Sequence, residues 1–263
     1  MRERQCTWRS RESLRREFAL RALPGYASLH LGPDLRLFGQ FVGAWADRSR
    51  LTKGPVDETG ADLLQGFAAW RLPNDGGTTV TFQGGRQLMA YGSERLIGLR
   101  LGPNVPLAFD GGLARLDASD WKADAFLIRP VENNLHGFDD RTDGGRRAYG
   151  LYATRQLPEI GPGSRLDLYW IGYHRAAARF DAGTGTEDRH TLGTRLFGRS
   201  GNWSWNHEAM LQFGRFRGGD ILAWSVATDT RYTFRDAPLA PFTFAKARAI
   251  AACHARPSDR NRS

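Results

Sequence analysis

Short alternating segments recur along this chain from about Gly25 to Phe234, and the connections between them run long, short, long, short. Residues 47–60, 91–106, 132–146 and 175–187 form long polar connections, whereas 73–77, 117–119, 158–164 and 200–202 are tight. Long loops on one rim and tight turns on the other are how an outer-membrane β-barrel is strung. A soluble sandwich has no reason to segregate its loops in this way. The expected fold is all-β: an antiparallel, up-and-down transmembrane β-barrel.

Period-two patterning supports this and assigns faces. In residues 203–213, Trp203, Trp205, His207, Ala209, Leu211 and Phe213 take one face, and Ser204, Asn206, Glu208, Met210 and Gln212 take the other. The apolar set is predicted to meet lipid and the polar set to line the interior. Residues 221–234 repeat the pattern, with Leu222, Trp224, Val226, Thr228, Tyr232 and Phe234 outward and Ser225, Asp229 and Arg231 inward. Residues 165–175 place Leu166, Leu168 and Trp170 outward, with Arg165, Asp167, Tyr169, Tyr173 and Arg175 inward. Residues 189–199 place Arg189, Thr191 and Arg195 inward, and residues 35–45 alternate as well. Further strands are expected at 61–71, 78–88, 109–116, 121–129 and 147–157, where parity is less clean. The total is about eleven, or about twelve if 26–31 and the region near Phe242 count.

The 263 residues suit one large β domain, and 25% charged residues with a mean hydropathy of −0.49 do not argue against it. A barrel carries its apolar residues at every second position, so average hydropathy is blind to it. No stretch has the roughly 18 uncharged apolar residues of a spanning helix. The formal net charge of +9 is a property of the ends. Residues 1–22 hold seven Arg against three Glu, and residues 245–263 hold one Lys and four Arg against one Asp, a net of +4 in each. No basic face remains for nucleic acid to read. The expected organisation is a basic N-terminal segment over 1–23 that lacks the apolar core of a signal peptide, a barrel domain over 24–244, and a basic disordered tail over 245–263. Cys6 and Cys253 lie one in each end, without metal-ligand spacing.

An ordered set of short motifs then narrows the reading. Gly85-Arg86-Gln87 is followed by Tyr91-Gly92, Arg95-Leu96, Gly102-Pro103-Asn104 and Phe109-Asp110-Gly111. Asp124-Ala125-Phe126, Arg129-Pro130-Val131 and Gly150-Leu151-Tyr152 extend it, and Leu35 to Gln40 precede it. This series resembles the alginate-export family of outer-membrane porins over roughly residues 25–236. The resemblance implies a barrel of roughly 18 strands, a bacterial outer-membrane location, and an electropositive lumen that passes an anionic polysaccharide. It also implies lipid and periplasmic export components as partners. Against that pattern the chain is expected to be an incomplete barrel, since no signal peptide, closing strands or terminal aromatic residue can be read in it.

The resemblance implies lumenal roles for Arg86, Asp124 and Arg129, although Asp124 and Arg129 stand five apart and share a face only across a bulge. Parity alone places Arg165, Arg189, Arg195 and Arg231 inward. These seven are the expected substrate-contacting residues, because guanidinium pairs with carboxylate bidentately. Asp167, Glu208 and Asp229 share the inward faces, so a mutually neutralised wall stays open beside a selective one. Asn104 and Asp110 mark a segment that would form a constriction if it folded inward. Asp139, Asp140 and Asp143 lack the spacing of a calcium loop, and His136, His174, His190 and His207 lack that of a zinc site; no metal or cofactor is expected. No nucleotide or hydrolase motif is present, and Ser93, Asp188 and His190 have no spacing that marks a triad. The expectation is a channel and not an enzyme. The alternatives are a soluble or surface-associated β protein that binds acidic polymers through its tails, or a non-functional porin fragment.

Overall fold

A computed structural model describes residues 19–47, 54–73, 76–100, 103–161 and 163–254. The readings of 1–17, of Cys6, of residues 255–263 and of the Cys253 side chain fall outside the described residues. Thirteen strands form one antiparallel sheet: β1 (Ala19–Leu31), β2 (Leu35–Asp47), β3 (Thr59–Pro73), β4 (Thr79–Leu88), β5 (Ala108–Asp117), β6 (Trp121–Glu132), β7 (Arg141–Thr142), β8 (Arg146–Gln156), β9 (Arg165–Phe180), β10 (Gly183–Ser200), β11 (Trp203–Phe216), β12 (Gly219–Thr233) and β13 (Phe242–His254). Each strand pairs with its sequence neighbours, except that the two-residue β7 branches from β6 and β8 takes its place in the main order. Every long strand between β1 and β13 therefore satisfies its backbone on both sides by an up-and-down ladder, the requirement a hydrocarbon surround imposes. β1 and β13 do not pair with each other, so the sheet is open, as an incomplete barrel would be.

The two faces differ as period two demands. Phe109, Leu113, Phe126, Ile128, Tyr152, Tyr169 and Ile171 bury themselves together on the inward face. Leu37, Phe41, Trp45, Trp70, Phe82, Leu127, Leu151, Leu168, Leu192, Leu211, Leu222 and Trp224 stand exposed on the other, a continuous apolar surface. Among the described residues, no helix is long and apolar enough to cross a membrane. Water could not tolerate an apolar band of this extent, whereas acyl chains match it.

Three expectations need correction. Residues 175–187 are no loop: β9 and β10 run on to Phe180 and Gly183 and meet in a tight turn. Charged residues at 175, 179, 187 and 188 gave the sequence a loop-like polarity, but a hairpin rising beyond the apolar band needs no apolar face. The disordered tail likewise gives way for residues 245–254, which pair along β12. Alternation is present there, with Ala245, Ala247, Ala249 and Ala251 outward and Lys246, Arg248 and Ile250 inward. Alanine offers little contrast, so the pattern did not show. Residues 19–23 likewise join β1, ahead of the expected domain start at 24.

Two glycines show how closely the central strands fit. Gly85 and Gly111 are register partners with φ of 129° and 156°. A Cβ at Gly111 would overlap the Leu127 carbonyl oxygen, whereas one at neighbouring Gly112 would meet nothing nearer than 3.9 Å. Gly111→Ala is therefore expected to lower unfolding stability by about 1–3 kcal/mol, and Gly112→Ala to leave it nearly unchanged. Urea unfolding in micelles, followed by tryptophan fluorescence, compares the two.

Candidate functional site

The connection between β4 and β5 turns inward. Its own backbone holds it as a compact hook, with Tyr91 N donating to Ile97 O at 3.1 Å, Glu94 N to Tyr91 O at 3.0 Å and Leu107 N to Leu99 O at 3.0 Å. Ile97 and Met89 bury against the inward face, and Tyr91 packs beside them. Asn104 fastens the base: its Nδ2 donates to Trp45 O at 3.2 Å and Asp57 O at 2.9 Å. The expected constriction segment thus enters the interior. Asp110 does not accompany it but stays on β5.

Tyr91 reaches across to a column of rings. Its centroid is 5.2 Å from Phe126 and 4.6 Å from Tyr152, and Tyr152 stacks on Tyr169 at 5.3 Å. Offset stacking of this kind adds stability beyond area burial. Each tyrosine hydroxyl donates to a buried carboxylate: Tyr91 to Asp124 at 2.8 Å, Tyr152 to Asp167 at 2.6 Å, and Tyr169 to Glu208 at 2.9 Å. Gly193 is the register partner of Tyr169, and its missing side chain leaves the room the ring occupies.

Each of those carboxylates also holds an arginine. Arg115 grips Asp124 bidentately at 2.8 and 2.7 Å. Arg195 donates to Asp167 at 3.1 Å and to Asn206 at 2.8 Å, and lies over the Phe197 ring. Arg95, from the inward hook, pairs with Glu208 at 2.7 Å. Side-chain exposure of Asp124, Asp167 and Glu208 is 4%, 3% and 5%. Carboxylates so removed from water are costly to bury without such partners. Arg189 follows the same rule, paired with Glu187 at 2.7 Å and donating to Gln212 at 2.9 Å.

Below the hook, towards the tight-turn rim, a cleft of about 480 Å³ is lined by Tyr91, Arg115, Lys122, Asp124, Gln156, Arg165, Asp167 and Arg195. Arg115, Lys122 and Arg195 face Asp124, Asp117 and Asp167 as ion pairs. Arg165 has no ion pair among the described residues. Arg231 has none either and lies over the Phe242 ring at 4.3 Å, while Arg175 and Arg248 share the inward parity unpaired.

Of the seven residues expected to line the interior, Asp124, Arg165, Arg189, Arg195 and Arg231 do so. Arg86 and Arg129 do not. Arg86, Asp110 and Arg129 are matched register positions on β4, β5 and β6, on the face opposite Gln87, Phe109 and Ile128. The ladders there run without a bulge, so period two fixes the face. Arg86 is spent on Asp110, at 2.8 and 3.0 Å. Sequence reasoning missed Tyr91, Arg95, Arg115 and Tyr152. Inward parity was available for Arg115 and Tyr152; the two hook residues had no such signal.

Ser93, Asp188 and His190 do not assemble. Asp188 pairs with His174 at 2.6 Å, His190 stacks between Trp170 and Phe213 on the outward face, and Ser93 sits in the inward hook. The loop acids divide too: Asp143 caps the turn into β8 through Gly145 N and Arg146. Asp139 and Asp140 gather with buried Asp62, carboxylate oxygens within 4.8 Å of one another. Burial pushes the Asp140 carboxyl above the usual range, and the Asn134 N–H only partly offsets it.

No curated protein matches this chain. The family model described as Alginate export matches residues 1–259, wider than the 25–236 read from motifs. The all-β up-and-down sheet, with its apolar outer face and charged interior, agrees with this match, and the chain belongs to the alginate export family of outer-membrane polysaccharide channels.

Proposed function

We propose that this chain forms the wall of a passive channel that exports an anionic polysaccharide of the alginate kind down its gradient. One observation carries the reading: the buried inward acids Asp124, Asp167 and Glu208 are already bound to arginine and tyrosine, while Arg165, Arg175, Arg231 and Arg248 carry charge without an ion pair among the described residues. The unpaired guanidiniums leave a net positive interior, which lowers the electrostatic barrier for carboxylated sugars. The paired ones hold the wall and the hook in place, and Arg195 and Arg115 supply a rigid edge to the cleft.

Transport of this kind needs no bound cofactor and no covalent step. Outer-leaflet and inner-leaflet lipid surround the wall, and periplasmic export components would deliver the polymer to the tight-turn rim. Binding through the basic tails alone fits less well, because Lys246 and Arg248 belong to β13 and Lys246 pairs with Asp229 at 3.0 Å.

Reversal potentials across planar bilayers in a salt gradient test this. The chain is expected to prefer anions, and Arg165→Glu with Arg231→Glu to shift the preference towards cations. Equal selectivity in both proteins sinks the proposal.

A buried pair behaves differently. Asp167→Asn frees Arg195 and is expected to raise anion preference while lowering stability by about 3 kcal/mol, the scale for breaking a buried ion pair. Conductance and urea unfolding, measured on the same preparation, separate the two effects.

A further inference from the structure

The outward face carries one row of charge where its apolar surface ends. Register pairs link Arg86, Asp110 and Arg129 across β4 to β6, and Arg147, His174, Asp188, Arg215 and Asp220 across β8 to β12. Arg129 and Arg147 each lie one residue beyond the last β6–β8 pair, Ile128↔Ala148, so they are adjacent at the junction of the two runs. The neighbouring acids are already taken: Asp110 by Arg86 and Thr142, Asp188 by His174. Both arginines are exposed and have no ion pair among the described residues. Like charges side by side on a sheet repel unless an anion lies between them.

On the same outward face, starting two residues along β6 at Leu127 and two along β8 at Tyr149, is a groove of about 720 Å³ walled by Phe82, Leu127, Tyr149, Leu151 and Trp170 over a floor that includes Gly84 and Gly112. Leu127 is 59% and Leu151 55% exposed. An apolar groove with two arginines beyond one end, neither ion-paired among the described residues, has the polarity of a single lipid molecule, tail below and phosphate above.

We propose that Arg129, Arg147 and this groove bind an anionic phospholipid, one whose phosphate charge no headgroup cation offsets, the phosphate on the arginines and an acyl chain against the glycine floor. The site lies on the opposite face from the lumen. It rests on the chain lying in a membrane, not on what the lumen passes, so bilayer selectivity and lipid preference fail independently.

The test uses the full chain in dodecylmaltoside micelles doped with brominated phosphatidic acid or brominated phosphatidylcholine, with quenching of tryptophan fluorescence as the readout. The anionic lipid is expected to be preferred, by about fivefold for each arginine. Arg129→Gln with Arg147→Gln should abolish the preference, and Arg129→Lys with Arg147→Lys should keep most of it. Gly84→Leu, whose side chain meets nothing within 4 Å of its Cβ, should fill the groove and weaken quenching by both lipids. Heat-modifiable gel migration reports whether each variant keeps its fold. If the glutamine pair unfolds, the lysine pair and Gly84→Leu decide. No preference in the parent chain, or an unchanged preference in a folded glutamine pair, overturns the proposal. Loss of the preference in millimolar inorganic phosphate overturns the lipid assignment and leaves a free-anion site.

Discussion

Period two along a strand forces every second residue towards lipid and every other towards the interior, and the whole molecule follows from satisfying both at once. The backbone answers first, with an unbroken antiparallel ladder from β1 to β13. The side chains then sort into an apolar outer surface and a charged inner one. Because the face of each residue is fixed by its register, a charge cannot be moved from lumen to lipid without a bulge. Arg86 and Arg129 show the consequence: on unbulged strands they belong to the outer rim, whatever motif they stand in.

The interior poses the second problem, which is charge without bulk water. Asp124, Asp167 and Glu208 would each be costly alone. Arginine and tyrosine partners satisfy them together, and stacking aligns the hydroxyls of Tyr152 and Tyr169. Tyr91 and Arg95 bring the β4–β5 connection into the same network, so the hook is anchored by the groups that neutralise the wall. The narrowing of the interior and the neutralisation of its acids are one construction. The inward arginines named above divide evenly between those paired with acids, Arg95, Arg115, Arg189 and Arg195, and those with no ion pair among the described residues, Arg165, Arg175, Arg231 and Arg248.

Much of this was legible in the sequence. The strands around Trp203–Phe216 and Gly219–Thr233 alternate bulky apolar with polar residues, so their faces could be read directly, and Arg165, Arg189, Arg195 and Arg231 stand where parity put them. Beyond the region near Phe242, β13 was read as a disordered tail because alanine marks an outward face too faintly. The β9–β10 hairpin read as a loop because its tip carries charge on both faces. The tyrosine column could not be read, since it joins β8, β9 and a loop through registers that no single segment reveals. Arg86 and Arg129 were placed by resemblance instead of by parity, and there parity was the better guide.

The central claim is that successive residues of one strand see lipid and lumen in turn. Nitroxide scanning of β9 tests it most directly, with spin labels placed singly from Leu166 to Gly172 in a chain whose Cys6 and Cys253 are replaced by serine. Relaxation by oxygen, which concentrates in the bilayer, is expected to peak at 166, 168 and 170. Relaxation by a water-soluble nickel chelate should be low at those sites, and the odd positions should show restricted motion. Accessibility to the two reagents that varies smoothly along the strand, or peaks in oxygen at 167, 169 and 171, would contradict the account.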